Sequence, residues 1–567
     1  MKKILNILSH VHHVHVHWIL PHAHHVHAPV WIMQKKVLLS ILCAGFLLLT
    51  LPFANKPLHG GRSGERQGQT GGIIRTYCEE PERFFLKGPQ VHYGNNPFNL
   101  ELTFFEWVQG KIAYAIDGPE CDSVETVGKV FSSLVSVVGI LALLFFVTHL
   151  WGWKSGLLSG LLLATDSLWL RYSTYTMIDT RVMTCALCAL LFSAKRKPVL
   201  AFVFWSLTLL QRPQVFSFAA PFWFVLELRD YLKTKKIPPI GIIASVGCAA
   251  VIGYGYYLWS CKLNAESDLP WIQWMGPRVQ KWFFGTWEER FSFIFFKNSA
   301  LDWLRRSSLT IALPVLIVLW KTFLKPSIVL REILWRSLPY LLGMLSYTFV
   351  FHHVFIVHEH YALPLNVGFA FTTAGVIGFL FTKLWEKKSW KLDSILAGIA
   401  LLGAVALPVV TSLNEHWKFY KDINNPHSPN LIQNWNIQIF PEKRKLVVIA
   451  GLESGRDLIA LYNTKQRGFM WCAKNPQFAP RAFWKAHGVQ YVAWAKVTDT
   501  GVLKWEVRTI DEELNFARKM GWLLNARDWG GERDAWSSRP MTEWAALGSR
   551  SGKDPCGDPS DFDPRKW

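Results

Sequence analysis

Long apolar runs separated by short polar connections fill most of this chain. About eleven of them approach the roughly 20 residues that cross a bilayer as a helix. They fall near 31–53, 125–150, 155–172, 177–194, 198–211, 214–228, 238–260, 307–324, 336–353, 361–382 and 392–412. The runs at 198–211 and 214–228 are short, and the Arg212-Pro213 step between them predicts a tilted or re-entrant pair. After residue 413 the pattern changes. KLVVIA (Lys445–Ala450) and VQYVAWA (Val489–Ala495) read as buried strands flanking a helix-like PRAFWKAHG. The predicted fold is an all-α polytopic membrane protein over 31–412, with a small C-terminal α/β domain over 413–567 and a leader over 1–30.

Between the first two runs lies NLELTFFEWVQGKIAYAI, opened by Asn95-Asn96-Pro97-Phe98, in which Leu100, Phe104, Trp107 and Val108 follow helical spacing. Such a helix can lie at the membrane interface with its aromatics among headgroups and Glu101, Glu106 and Lys111 in water. Packing on an outer domain is the alternative. Residues 58–72 are glycine-rich, but no Gly-Lys-Ser/Thr closes them as a phosphate loop, so they read as a flexible linker. Nine histidines between His10 and His27 make a low-complexity leader, read as disordered and cytoplasmic in preference to a metal-binding tract.

Half of the 567 residues are apolar and only 18% are charged, which places the chain in a membrane. A net charge of +20 would suggest a nucleic-acid partner if it were spread evenly. Instead, Lys35-Lys36, Lys154, Lys195-Arg196-Lys197, Arg229 with Lys233, Lys235 and Lys236, Lys321 with Lys325, Arg331 and Arg336, and Lys383 with Lys387, Lys388 and Lys391 occupy alternate connections. That is the positive-inside bias, and it needs no nucleic acid. It puts the loops 54–123 and 261–306, and everything after about 413, outside. The second of these loops interleaves Trp271, Trp274, Arg278, Lys281, Trp282, Phe283, Phe284, Trp287 and Arg290, which suits lipid headgroups or a plain interfacial belt. Cys78 and Cys121 share the first outer loop, Cys472 and Cys556 share the tail, and an oxidising compartment would allow each pair to bond.

Candidate chemistry gathers on that outer face. Ile73–Trp107 carries Glu79, Glu80, Glu82, Arg83 and Lys87. A second corner holds Tyr172, Tyr175, Asp179 and Arg181, and charges at the head of an apolar run must face protein or a water-filled cavity. Asp166 needs a partner, for which Arg171 and Arg212 both qualify. A third segment, HEHYALPL, delivers His358, His360 and Tyr361. Carboxylates beside arginines and histidines suit a reaction in which a hydroxyl or amine loses a proton while a phosphate departs. Arginine holds phosphate through its bidentate fork, with Arg83, Arg181 and Arg212 as the candidates.

At these residues the chain resembles the multi-spanning (GT-C type) glycosyltransferases that use polyprenyl-phosphate sugars, the group of protein O-mannosyltransferases and the lipid A aminoarabinose transferase. Glu79-Glu80-Pro81-Glu82-Arg83-Phe84 is similar to the family's acidic pair and following aromatic, Asn96-Pro97-Phe98 to its proline-aromatic segment, Asp179 to its second acidic position, and HEHYALPL to its outer turn. The resemblance implies an integral inner- or plasma-membrane enzyme with its site on the extracytoplasmic face. It would transfer a sugar, with inversion, from undecaprenyl or dolichyl phosphate to a protein, lipid or glycan. It implies Glu79, Glu80 and Asp179 as catalytic. Glu82, Arg83, Lys87, Tyr172, Tyr175, Arg181, Arg212, His358, His360 and Tyr361 would bind substrate. Glu stands at 79 where the family has Asp, so Glu79, Glu80 and Glu82 all remain candidate bases, Glu79 first. No cofactor is required, and a divalent metal is left open. A transporter or flippase of a lipid-linked sugar is the alternative, although no internal repeat is seen. A non-catalytic sensor would leave the Glu79 loop and Asp179 without a task.

Overall fold

The computed structural model describes residues 30–56, 64–87, 101–265, 287–291, 326–351, 359–386, 392–424, 440, 445–450, 466–471, 481–486, 488–497 and 503–520. The histidine-rich leader, Asn95–Phe98, most of the 261–306 loop, the run at 307–324, His358, Cys472 and Cys556 lie outside the described residues. The chain divides into two units, 1–45 and 46–567.

The helices are α1 (Val30–Thr50), α2 (Gly64–Glu79), α3 (Phe104–Asp117), α4 (Val124–Trp151), α5 (Trp153–Ala164), α6 (Ser167–Ser173), α7 (Asp179–Ala194), α8 (Pro198–Gln211), α9 (Pro213–Thr234), α10 (Ile240–Ala265), α11 (Trp287–Arg290), α12 (Pro326–Val350), α13 (Leu363–Glu386) and α14 (Leu392–Asn424). Among the described residues four segments are long and apolar enough to cross a membrane: Met33–Phe53, Val124–Trp151, Ile240–Asn264 and His360–Thr382. The protein is therefore read as an integral membrane protein built mostly of helices.

Three breaks between helices shape the site, and each has a local cause. Pro213 excludes the helical region for the residue before it, so Arg212 is extended (φ −151°, ψ 98°) and the chain turns between α8 and α9. Asp166 breaks the predicted run at 155–172. Its carboxylate caps α6 by accepting the Trp169 N–H at 2.8 Å and also accepts from the Asn366 side chain at 2.8 Å. Asn366, far along the sequence, is thus a partner that the sequence reading did not consider. Five residues, 174–178, then separate α6 from α7.

Residues 64–72 are helical, not a flexible linker: they form the first half of α2, and Gln67 and Thr70 are buried. Gly110 explains how α3 rests on α2. A Cβ there would lie 2.8 Å from the Ile74 carbonyl oxygen and 2.6 Å from Tyr77 Cβ, so only glycine permits the approach. The face so buried is Glu106, Gln109, Gly110 and Ala113. Glu106 is thus buried against protein, where the sequence put it in water, because the aromatic face of α3 turns outward and the polar face turns in. A disulfide joins Cys78, one residue before the end of α2, to Cys121, three residues before α4. Beside it, the Tyr77 hydroxyl bonds Thr103 Oγ1 at 2.5 Å and donates to the Phe85 carbonyl at 3.2 Å. Burial pushes the Tyr77 phenol up to about 12, against the opposing Thr103 bond, so it remains a donor.

Beyond α14, strands β1 (Leu446–Ala450), β2 (Arg467–Trp471), β3 (Tyr491–Val497) and β4 (Leu503–Thr509) form a sheet in the order β2-β1-β3-β4, parallel except for β4. Helices α15 (Arg481–Ala486) and α16 (Ile510–Lys519) accompany it. A capping box opens α16: Thr509 accepts from the Glu512 N–H, and Glu512 accepts from the Thr509 N–H at 2.8 Å. Those bonds from Thr509 hold the exposed Glu512 carboxyl below its usual range.

Candidate active site

Arg212 is the centre of a buried ionic cluster. It caps α8, its N–H bonding the Thr208 carbonyl at 2.9 Å, and Pro213 turns the chain after it. Its Nη1 lies 2.7 Å from Asp179 Oδ1, and both side chains are only 3% exposed. Asp179 is the first residue of α7, where the helix dipole also favours a carboxylate. The Arg212 guanidinium lies 5.0 Å from the centre of the Tyr361 ring, and its Nε is 3.6 Å from Glu101 Oε1. Glu101 in turn is held by Arg66 of α2. A backbone bond from Leu102 N to the Leu210 carbonyl, 3.0 Å, ties this outer strand of chain to the end of α8 and keeps Glu101 beside Arg212.

Two residues further along α7, Arg181 is fully buried. Its Nε donates to the Met177 carbonyl at 2.9 Å, and its Nη1 is 2.9 Å from Glu106 Oε1, itself 3% exposed. The cluster therefore holds three arginines, 66, 181 and 212, against three carboxylates, 101, 106 and 179. Among the described residues, Asp179 Oδ2, Arg181 Nη2 and Arg212 Nε are buried with no hydrogen-bond partner. Buried polar atoms are ordinarily satisfied, and charged ones above all, so an open acceptor here lies beside open donors.

The third side of the cluster comes from α12 and α13. The Tyr347 hydroxyl donates to the Tyr361 carbonyl at 2.8 Å, fixing the turn that precedes α13. His360 is buried, its ring 4.4 Å from Tyr361 and 6.1 Å from Tyr172, which meets Tyr175 edge-on at 5.4 Å. Thus Tyr172, Tyr175, Asp179, Arg181, Arg212, His360 and Tyr361 come together from segments far apart in sequence.

The Glu79 loop lies at the end of α2 opposite Arg66, on the side where Trp107 of α3 packs. Glu79 ends α2, the helix that carries Arg66 near its other end, and 13 residues of helix put the two about 20 Å apart along the axis. Glu80 accepts from Arg83 Nε at 2.6 Å on the next turn, Glu82 is exposed, and Lys87 ends a short 3₁₀ turn, Phe85–Lys87. The Arg83 carbonyl accepts from Trp107 Nε1 at 3.1 Å, beside the packed rings of Phe84 and Phe85. The carboxylates that do meet Asp179 and the arginines are Glu101 and Glu106, neither of them a sequence candidate. Gly110 was the signal for Glu106, since a glycine in the polar stripe of an amphipathic helix marks close packing on that side. Among the described residues no group of three or more His, Cys, Asp or Glu could hold a metal ion.

No family model matches the sequence, and no curated protein matches it. Solved structures similar to the chain include ArnT from Cupriavidus metallidurans bound to undecaprenyl phosphate, at 13% identity and a TM-score of 0.48, covering 84% of this chain and 94% of that one. The archaeal oligosaccharyltransferase AglB from Archaeoglobus fulgidus, in complex with an inhibitory peptide and a dolichol-phosphate, is similar at 12% identity and a TM-score of 0.43, over 84% of this chain and 75% of that one. The Archaeoglobus fulgidus oligosaccharyltransferase in complex with Zn and sulfate is similar at 12% identity and a TM-score of 0.42, over 82% and 72%. At these values the likenesses carry no functional argument.

Proposed function

We propose that the protein is a membrane glycosyltransferase that moves a sugar from a polyprenyl-phosphate carrier to an acceptor on the extracytoplasmic face. The observation that carries this reading is the pairing of an unspent buried carboxylate oxygen, Asp179 Oδ2, with unspent guanidinium nitrogens on Arg181 and Arg212. A reaction that removes a proton while a phosphate leaves needs both in one place. The acceptor hydroxyl or amine attacks the anomeric carbon and its proton passes to Asp179. The bond from that carbon to the phosphate oxygen breaks, and the electron pair stays on the phosphate, beside Arg212. Attack from the face opposite the leaving phosphate gives inversion.

Glu101, held between Arg66 and Arg212, orients the phosphate-facing cation, while Tyr361 shields it from below. His360 and the pair Tyr172 and Tyr175 line the acceptor side. Glu79, Glu80, Arg83 and the exposed Glu82 lie toward the other end of α2, where they support the loop. The extracytoplasmic assignment rests on two supports. The basic connections favour the opposite side, and the Cys78–Cys121 disulfide belongs to an oxidising compartment. Purified protein in lipid, incubated with a panel of polyprenyl-phosphate sugars and a mixed acceptor pool, should release free polyprenyl phosphate from at least one donor. Release no greater than in protein-free lipid for every donor would refute the reading.

A further inference from the structure

The charges of the cluster balance among themselves, three arginines against three carboxylates, so a phosphate that binds there competes with a carboxylate for a cation. The three arginines are not equally committed. Arg181 is fully buried, with Glu106 and the Met177 carbonyl as its partners. Arg66 holds Glu101 directly. Arg212 alone is shared, in direct contact with Asp179 at 2.7 Å but 3.6 Å from Glu101, with its Nε unbonded and one face against Tyr361. The Arg212 side chain leaves an extended residue between two helices, at the turn from α8 to α9.

Resting on the reading of this site as the carrier site, we infer that Arg212 exchanges partners: the carrier phosphate takes its guanidinium from Asp179. In the carrier-free protein the Arg212 guanidinium occupies Asp179 Oδ1 at 2.7 Å. Phosphate binding draws the guanidinium away and frees Oδ1 beside the unbonded Oδ2 when a donor sugar is in place. The ion pair is thus an internal inhibitor, competing with the carrier for one cation. Glu101 remains with Arg66 throughout and keeps Arg212 from swinging out of reach.

The inference makes an unusual demand, that removing the proposed base should tighten carrier binding. If Arg212 is free of Asp179 about a tenth of the time, the apparent dissociation constant is raised about tenfold by that competition. The test measures undecaprenyl phosphate binding to wild type and D179N in phosphatidylcholine nanodiscs. D179N should bind about tenfold more tightly, the gain set by the fraction of Arg212 that is free in the wild type. D179S, which also removes the charge, serves in the same way should the asparagine variant fail to fold. Arg212→Lys should weaken binding in the wild-type background, since the lysine loses the fork. Equal or weaker binding by the two Asp179 variants, with the wild type binding normally, overturns the exchange and leaves the carrier reading standing. No binding by the wild type removes the carrier reading and the exchange together. Equal tightening toward phosphatidylglycerol would assign the cluster to ordinary headgroups and overturn the inference as well.

Discussion

Two arginine–carboxylate clusters lie at opposite ends of α8, about 21 Å apart by its 14 residues. At the Pro198 end, Arg196 lies 2.6 Å and 2.7 Å from the two oxygens of Glu227 and 3.4 Å from Asp230, while Trp223 Nε1 donates to Glu227 at 3.1 Å. Arg196 is 35% exposed, and neither it nor Glu227 has a buried atom without a partner. At the Arg212 end Glu106, Asp179, Arg181 and Arg212 are almost fully buried, yet Asp179 Oδ2, Arg181 Nη2 and Arg212 Nε lack a hydrogen-bond partner. The first arrangement has everything a structural tie needs. The second places charges where burial is most unfavourable and leaves several of their atoms without a hydrogen-bond partner.

If that contrast is functional, the largest effect belongs to Asp179. D179N should lower turnover by about 10²–10⁴-fold, the range for a general base, whereas E227Q should leave turnover within about threefold. Comparable losses from both, measured as polyprenyl phosphate released, would erase the distinction. Next in size is E106A, which strands a fully buried Arg181 and should reduce stability by about 3–5 kcal/mol in thermal or denaturant unfolding. R196A should change stability by no more than about 1 kcal/mol, because that ion pair is partly solvated. Replacing Cys78 and Cys121 together by serine opens a loop with a sequence separation of 43 that carries Glu101 and Glu106, and should lose about 2–4 kcal/mol. Donor affinity should fall with it, which a tie remote from the site would not cause. The smallest change is T509A, expected to weaken α16 by about 1 kcal/mol, seen as faster amide exchange in its first turn with turnover unaltered.

Much of the cluster was legible because charge inside an apolar run is costly and so informative. Asp179, Arg181 and Arg212 stood out for that reason, and Pro213 already marked the chain break at Arg212. Tyr361 and His360 followed from the outer end of the next apolar run. Arg66, Glu101 and Glu106 did not stand out. The glycines of 64–72 weighed against a helix by local propensity, roughly 1 kcal/mol each, and the packing of α2 on α3 overrode them. Glu106 was assigned to water because amphipathic patterning assumes that polar faces meet solvent. At the rim of a membrane protein the lipid headgroups can take the aromatic face, and the polar face is then free to serve a buried site. Glu79 was favoured by its place in a short acidic motif, and spacing along one helix could not reveal that Arg66, 13 residues earlier, is the residue that pairs with Glu101. Strands β1 and β3 were readable from their apolar runs, whereas β2, RGFMW, carries a charge and a glycine, and the regular apolar–polar alternation of β4, LKWEVRT, was missed.

The account stands most directly on where a carrier phosphate sits. An experimental structure of the protein in lipid with undecaprenyl phosphate would decide it. The account predicts a phosphate oxygen about 3 Å from an Arg212 guanidinium nitrogen, with the 2.7 Å contact between Arg212 and Asp179 opened. A phosphate bound beside Arg83 and Glu80, or at Arg196, with the Arg212–Asp179 contact intact, would contradict it.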